Sequence, residues 1–388
     1  MTVSALTRPG ERDRLVVKLT QIDWTLSAAI TLIALAGAAM LYSVAGGGGS
    51  WKPWAGEHLL RYGFWFLAMI ALAMLDLRVW FFIAYPVYAI GLVLLVLVAA
   101  HGHSSLGAQR WLNLGPFGHQ FQPSEVMKIG LVLALARFYH SISAKSARLS
   151  WWLLIPAALI GAPVALVMKQ PDLGTALLIA GVGVTMMILA GLSLRLIGAG
   201  VVLVGVAAPL AIKFVLKPYQ LTRLFTFLNP EADRSGAGYH IMQSKIALGS
   251  GGLLGKGFGL GSQSQLNFLP EKQTDFMLAS LAEEFGFVGA VSILMIYAAV
   301  IYMCLRIATV SHSHFGRLSA AGITVTLAFC VLMNGAMVMG LAPVVGVPMP
   351  LLSWGGTVMM SMMIGFAVVQ SVRVHRYSEV TSGKGSVL

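Results

Sequence analysis

The chain has 388 residues, 57% of them hydrophobic and only 10% charged, with a formal net charge of +12. Its mean hydropathy of +0.82 leaves too little polar surface to cover a soluble fold, so the sequence describes an all-α, polytopic membrane protein. The two cysteines, Cys304 and Cys330, lie inside apolar runs, which indicates neither a disulfide framework nor a zinc site, and no stretch has the form of a nucleic-acid-binding module.

In chain order, residues 1–23 form a basic N-terminal segment and residues 24–374 a single ten-helix domain. The candidate spans are 24–46, 58–75, 80–100, 124–142, 151–168, 173–190, 193–214, 275–305, 316–341 and 352–373. The first is too long for a signal-peptide core and no cleavage site follows it, so it reads as retained. Gly46–Gly49 reads as a short flexible turn. The eighth run exceeds one membrane thickness and predicts a tilted helix or one projecting beyond the lipid. No internal repeat supports an inverted-repeat transporter. The tail, 375–388, is polar and is expected to be disordered beyond Tyr377.

Orientation follows from Lys and Arg. With the N-terminus cytoplasmic, that side receives Arg8, Arg12, Arg14, Lys18, Arg78, Arg137, Lys145, Arg148, Arg195, Arg306, Arg317, Arg373, Arg376 and Lys384 on termini and short turns. Lys213, Lys217, Arg223, Arg234, Lys245, Lys256 and Lys272 lie on the other side, in or beside the long loop 215–274 between helices seven and eight. Loops of that length escape the charge rule. This second basic group reads either as a face for anionic membrane lipids or as a docking surface for a phosphorylated lipid.

Two external segments, 101–123 and 215–274, are too long for plain connectors. Within the second, 238–252 has helical periodicity, with Ile241, Ile246 and Leu248 apolar and Gln243, Ser244 and Lys245 polar; it predicts an amphipathic helix on the membrane surface. The glycine-rich run after it lacks the spacing of a nucleotide-binding loop. Its backbone amides could hold a pyrophosphate, and a flexible linker is the equal alternative.

Four groups of residues carry candidate chemistry. Glu271, Asp275, Glu283 and Glu284 are four of only 14 acidic residues. Asp275 sits where polar loop meets helix; such an aspartate often only caps the helix, but the basic, glycine-rich loop ending beside it favours a catalytic role. Glu283 and Glu284 lie roughly 12–14 Å farther along a helix and read as partners for buried polar groups or as the lining of a wet cleft. Arg110, Glu125 and Lys128 form the second group: Glu125 and Lys128 share one helix face, where they could simply pair with each other, while external Lys and Arg so placed point to a polar cavity in which Arg110 could grip a phosphate and Lys128 act as a point charge. Lys169 and Asp172 occupy a tight external turn, and Ser353, Trp354, Gly355 and Gly356 a Pro/Gly-broken stretch that would wall the site.

The blocks GAQRWLNLG, FQPSEVMK, QPDLGTALL, FLNPEADRSGAGYHIMQSKIALGSGGLLGKG, FLPEKQTDFMLASLAEEFGFVG and PVVGVPMPLLSWGG occur in this order between about 20 and 375. Together they resemble the SEDS family (shape, elongation, division and sporulation), its RodA-like elongation branch more than its FtsW-like division branch. Trp354 departs from a frequent tyrosine and Lys272-Gln273 from a common Arg-His. The resemblance implies a ten-span glycosyltransferase of the inner membrane that polymerises lipid II on the periplasmic face. It also implies an essential acid at Asp275, a class B penicillin-binding protein as partner, and other elongation-complex membrane proteins. Asp275 would then act as a base or hold a divalent cation (Mg²⁺ or Mn²⁺), with Arg110, Lys128, Lys169, Arg223, Lys245 and Lys272 supplying charge to a phosphorylated substrate. No organic cofactor is expected. A lipid II flippase, an FtsW-like division polymerase and a non-catalytic scaffold are the rival readings.

Overall fold

The computed structural model describes residues 15–45, 49–105, 108–114, 119–142, 150–170, 172–193, scattered positions between 196 and 226, 236–269 and 271–379. The helices are α1 (Leu15–Gln21), α2 (Trp24–Val44), α3 (Gly56–Ala73), α4 (Leu77–His101), α5 (Pro123–His140), α6 (Leu154–Lys169), α7 (Leu173–Leu189), α8 (Ala237–Ser250), α9 (Ser262–Gln265), α10 (Met277–Val310), α11 (His314–Val338) and α12 (Gly356–Val374). Apolar segments choose helix because it satisfies every backbone group within one segment, where no water is at hand. Short polar side chains mark several starts: Asp23 accepts from the Leu26 amide, Asp76 from Arg78, Asp172 from Thr175 and Ser313 from Gly316.

Among the described residues, α2, α4, α10, α11 and α12 are long and apolar enough to cross a membrane, and α6 and α7 are shorter apolar helices of 16 and 17 residues. The chain is therefore a multi-pass, mainly helical membrane protein. The expected seventh span, 193–214, lies mostly outside the described residues. Helices α5, α11 and α12 form the buried centre. Around them α3 packs on α12, α4 on α5, α7 on α11, and α10 on α2 and α11. Leu60, Phe82, Phe287 and Met295 point outward from the rim helices, as lipid contact requires.

Three regions add to or differ from the expectations above. External segment 101–123 is not featureless: β1 (His103–Ser105), β2 (Ala108–Leu114) and β3 (His119–Phe121) form an antiparallel sheet in that order, with Leu112 opposite Phe121. Helix α8 turns Ile241, Ser244 and Ala247 inward and leaves Met242, Lys245 and Ile246 exposed. The expected apolar stripe through Ile246 and Leu248 gives way because the Ser244 hydroxyl donates to the Val338 carbonyl at 2.8 Å, docking the Ile241–Ser244–Ala247 face on the protein. Finally, α10 is 34 residues long but broken: Gly286 has φ 67° and ψ −165°, a conformation open essentially to glycine alone.

Candidate functional site

Asp275 lies in the turn before α10, not in the helix; the cap position is Phe276, and no side chain caps it. The turn is wound around Glu271, whose carbonyl accepts from the Thr274 and Asp275 amides at 3.1 Å and whose carboxylate accepts from the Thr274 hydroxyl at 3.1 Å. Two outside groups hold it. Asn334 of α11 donates from Nδ2 to the carbonyls of Asp275 and Val347, both at 2.8 Å. The Trp354 amide donates to the Gln273 carbonyl at 2.8 Å. The irregular loop 341–355 is thereby fastened to the Asp275 turn, and Trp354 carries the Arg61 guanidinium 4.4 Å above its ring.

That loop presents Gly346, with φ +68°, towards the site. A Cβ there would lie 3.2 Å from Arg110 Nη1 and 3.5 Å from Asp275 Oδ2, so a cation and a carboxylate converge on one bare glycine. Arg110 comes from β2, and its Nε stands 3.2 Å from Asp172 Oδ2 as an ion pair without hydrogen-bond alignment. Asp172 is itself fixed, capping α7 through the Thr175 amide and accepting from the Thr175 hydroxyl at 2.8 Å. Thus β2, the start of α7, the 271–276 turn and the 341–355 loop meet at one point, bringing Arg110, Asp172 and Asp275 together.

Glu125 and Lys128 form a buried pair at 2.8 Å, and the Ser361 hydroxyl donates to Glu125 at 2.9 Å. Both side chains are only 5% exposed and border a small void with Thr326 and Ser361. Lys272 is committed elsewhere: its ammonium donates to the Ser264 carbonyl at 2.6 Å and to Asn267 Oδ1 at 2.8 Å, and burial holds it below the ordinary lysine pKa. The Ser353 hydroxyl accepts from the Met349 amide at 3.2 Å inside the loop's own turn. Lys169 and Lys245 are exposed, Lys245 reaching across Gly340. Arg223 lies outside the described residues.

Several amides of the glycine-rich run are bonded within the loop or to the broken helix rather than held open for a pyrophosphate. The Lys256 and Gly257 amides donate to the Glu283 and Glu284 carbonyls, each at 3.0 Å, while the Phe287 and Val288 amides donate back to Gly252 and Leu253. The Glu283 carboxylate accepts from Lys256 Nζ at 2.6 Å and from the Ser262 hydroxyl at 3.0 Å; Glu284 accepts from the Ser43 hydroxyl at 2.5 Å and the Gly259 amide at 3.1 Å. Both glutamates therefore serve buried polar partners. Among the described residues no group of three or more His, Cys, Asp or Glu is arranged to hold a metal. Asn334 is the site residue that sequence reasoning missed; its signal was a lone amide in the ninth apolar run, beside Gly335.

The FtsW/RodA/SpoVE cell cycle protein family profile matches residues 17–378. Peptidoglycan glycosyltransferase MrdB of Escherichia coli K12 is 47% identical over 309 residues, 79% of this chain and 82% of that one. A chain of a solved peptidoglycan synthase complex, described as coordinating polymerization and crosslinking, superposes with a TM-score of 0.77 at 30% identity, covering 92% of this chain and 98% of its own. The crystal structure of Thermus thermophilus rod shape determining protein RodA gives 0.68 at 28% identity, with coverage of 92% and 98%.

Proposed function

This chain belongs to the FtsW/RodA/SpoVE family of cell cycle proteins, and from that premise we propose that it is a membrane peptidoglycan glycosyltransferase that builds glycan strands from lipid II during elongation and rod-shape maintenance. The observation that carries the mechanism is the convergence of Asp275 and Arg110 on Gly346. Asp275 takes the proton of the acceptor GlcNAc 4-hydroxyl as its oxygen bonds to the donor C1. The C1–oxygen bond to pyrophosphate breaks on the opposite face, the sugar inverts, and the electron pair leaves with undecaprenyl pyrophosphate. A pyrophosphate needs no general acid. Arg110, oriented by Asp172, stabilises the charge developing on it.

In the alternative role for Asp275, its carboxylate would hold a divalent cation against substrate phosphate oxygens instead of taking the proton, since Mg²⁺ binds through one or two carboxylates plus phosphates, and the cation would supply charge neutralisation at the leaving group. The setting we propose is a ten-span protein of the inner membrane with this site on the periplasmic face. A class B penicillin-binding protein would supply crosslinking, alongside other elongation-complex membrane proteins; the likeness to a chain of a synthase complex supports that pairing.

Purified protein incubated with lipid II, with and without Mg²⁺ or Mn²⁺ and the class B partner, is expected to give glycan ladders on gels. Dithionite quenching of labelled lipid II in proteoliposomes runs beside it. Quenching of inner-leaflet label with no ladders under any condition would replace the polymerase with the flippase.

A further inference from the structure

The loop 251–261 has an architecture unlike that of a water-facing loop. Its tips are apolar and bare: Leu253 is 72% exposed, Leu254 82% and Leu260 66%. Many of its polar groups, by contrast, bond within the protein. The Lys256 and Gly257 amides are bonded to α10 carbonyls and the Gly255 amide to Gly251; the lysine charge meets Glu283 at 2.6 Å. A water-exposed loop has no need to satisfy its backbone internally while presenting leucine to solvent. A loop in hydrocarbon must do both.

Position agrees. The loop meets α10 at Gly286 through Leu253 and Gly255, and the outward face of α10 runs from Phe285, 41% exposed, and Phe287, 63% exposed, to Met295, 64% exposed. From Arg306, the last cation of α10, about 20 residues at 1.5 Å lead back to Gly286 and fill a hydrocarbon core of about 30 Å. The leucines therefore stand at the boundary between acyl chains and headgroups, continuous with the lipid-facing side of a spanning helix.

We propose that residues 251–261 form a membrane wedge, spliced into the break of α10, whose Leu253, Leu254 and Leu260 enter the acyl region of the leaflet opposite Arg306. The occupant of this apolar face is lipid. The inference stands independently of the reaction proposed above. It also moves Glu283 and Glu284 from the bilayer interior to its boundary, where carboxylates cost least.

The test is electron paramagnetic resonance of nitroxide-labelled Leu254→Cys protein in phosphatidylethanolamine/phosphatidylglycerol vesicles, with labelled Met295→Cys as the lipid-embedded reference. Cys304 and Cys330 are buried and leave the background low. Oxygen accessibility exceeding that of a water-soluble nickel chelate, as at Met295, is the expected result. Dominant nickel accessibility, meaning water, would overturn the proposal; so would shielding from both reagents, meaning a protein surface. Leu260→Cys repeats the measurement should Leu254→Cys lower the thermal midpoint.

Discussion

Asp172 does two things with one carboxylate: it caps α7 and pairs with Arg110. Losing the cap alone costs about 1 kcal/mol, and the freed guanidinium loses its orientation towards the substrate. Asp172→Asn keeps a capping oxygen but discards the charge, so we expect near-native thermal stability with lowered lipid II turnover, whereas Asp172→Ala should lower both. Asn334→Ala strips the donor from the Asp275 and Val347 carbonyls; an unsatisfied buried group costs about 1–3 kcal/mol, so a fall in melting temperature should accompany loss of activity. The place of Asp275 at a loop–helix junction beside a basic loop was legible in the sequence, where such a carboxylate is unusual in so apolar a chain. Lys272 looked equivalent, being basic and three residues away. Its direction depends on how Ser264 and Asn267 fold around it, which no local pattern encodes.

The splice between the glycine-rich loop and α10 belongs to the scale of elements. A Cβ on Gly286 would lie 2.3 Å from the Gly255 nitrogen, and one on Gly255 would lie 2.1 Å from the Glu284 carbonyl oxygen, both at positive φ. Gly286→Ala and Gly255→Ala should each destabilise by more than about 1 kcal/mol, read as a lower midpoint in a thermal-shift assay. Gly249→Ala, with open space around the site, should be silent. Apolar run length marked the described long helices and helical periodicity marked α8, yet the long eighth run read as one tilted or projecting helix. Its break was hidden because a single glycine in an apolar run looks like ordinary packing; only the meeting with residues 251–257, about 30 positions earlier, makes that glycine necessary. The face of α8 was misread for a similar reason: Ser244 finds its partner 94 residues away, on α11.

For the whole molecule, the expected topology puts β2, the starts of α5, α7, α10 and α12, and loop 341–355 at one end, and the contacts assembled around Asp275 agree with that placement. The buried Glu125–Lys128 pair braces this end from below. Removing one member leaves the other uncompensated, at about 3–5 kcal/mol, so Lys128→Met should unfold at distinctly lower temperature, and Glu125→Gln/Lys128→Met should recover part of the loss. Composition and recurring apolar runs made the membrane architecture readable, and six ordered blocks made the family readable. The convergence of four distant segments on Gly346 was not, because it is a property of how helices pack, and small residues at crossings carry little signal in a chain with 43 glycines. The central claim is that this convergence performs glycosyl transfer through Asp275. Its most direct test is the lipid II polymerisation rate of Asp275→Asn protein against wild type, at matched thermal stability and with partner and cation present. A fall of about 10²–10⁴-fold is predicted, the contribution of a positioned general base; wild-type turnover by the folded variant would contradict it.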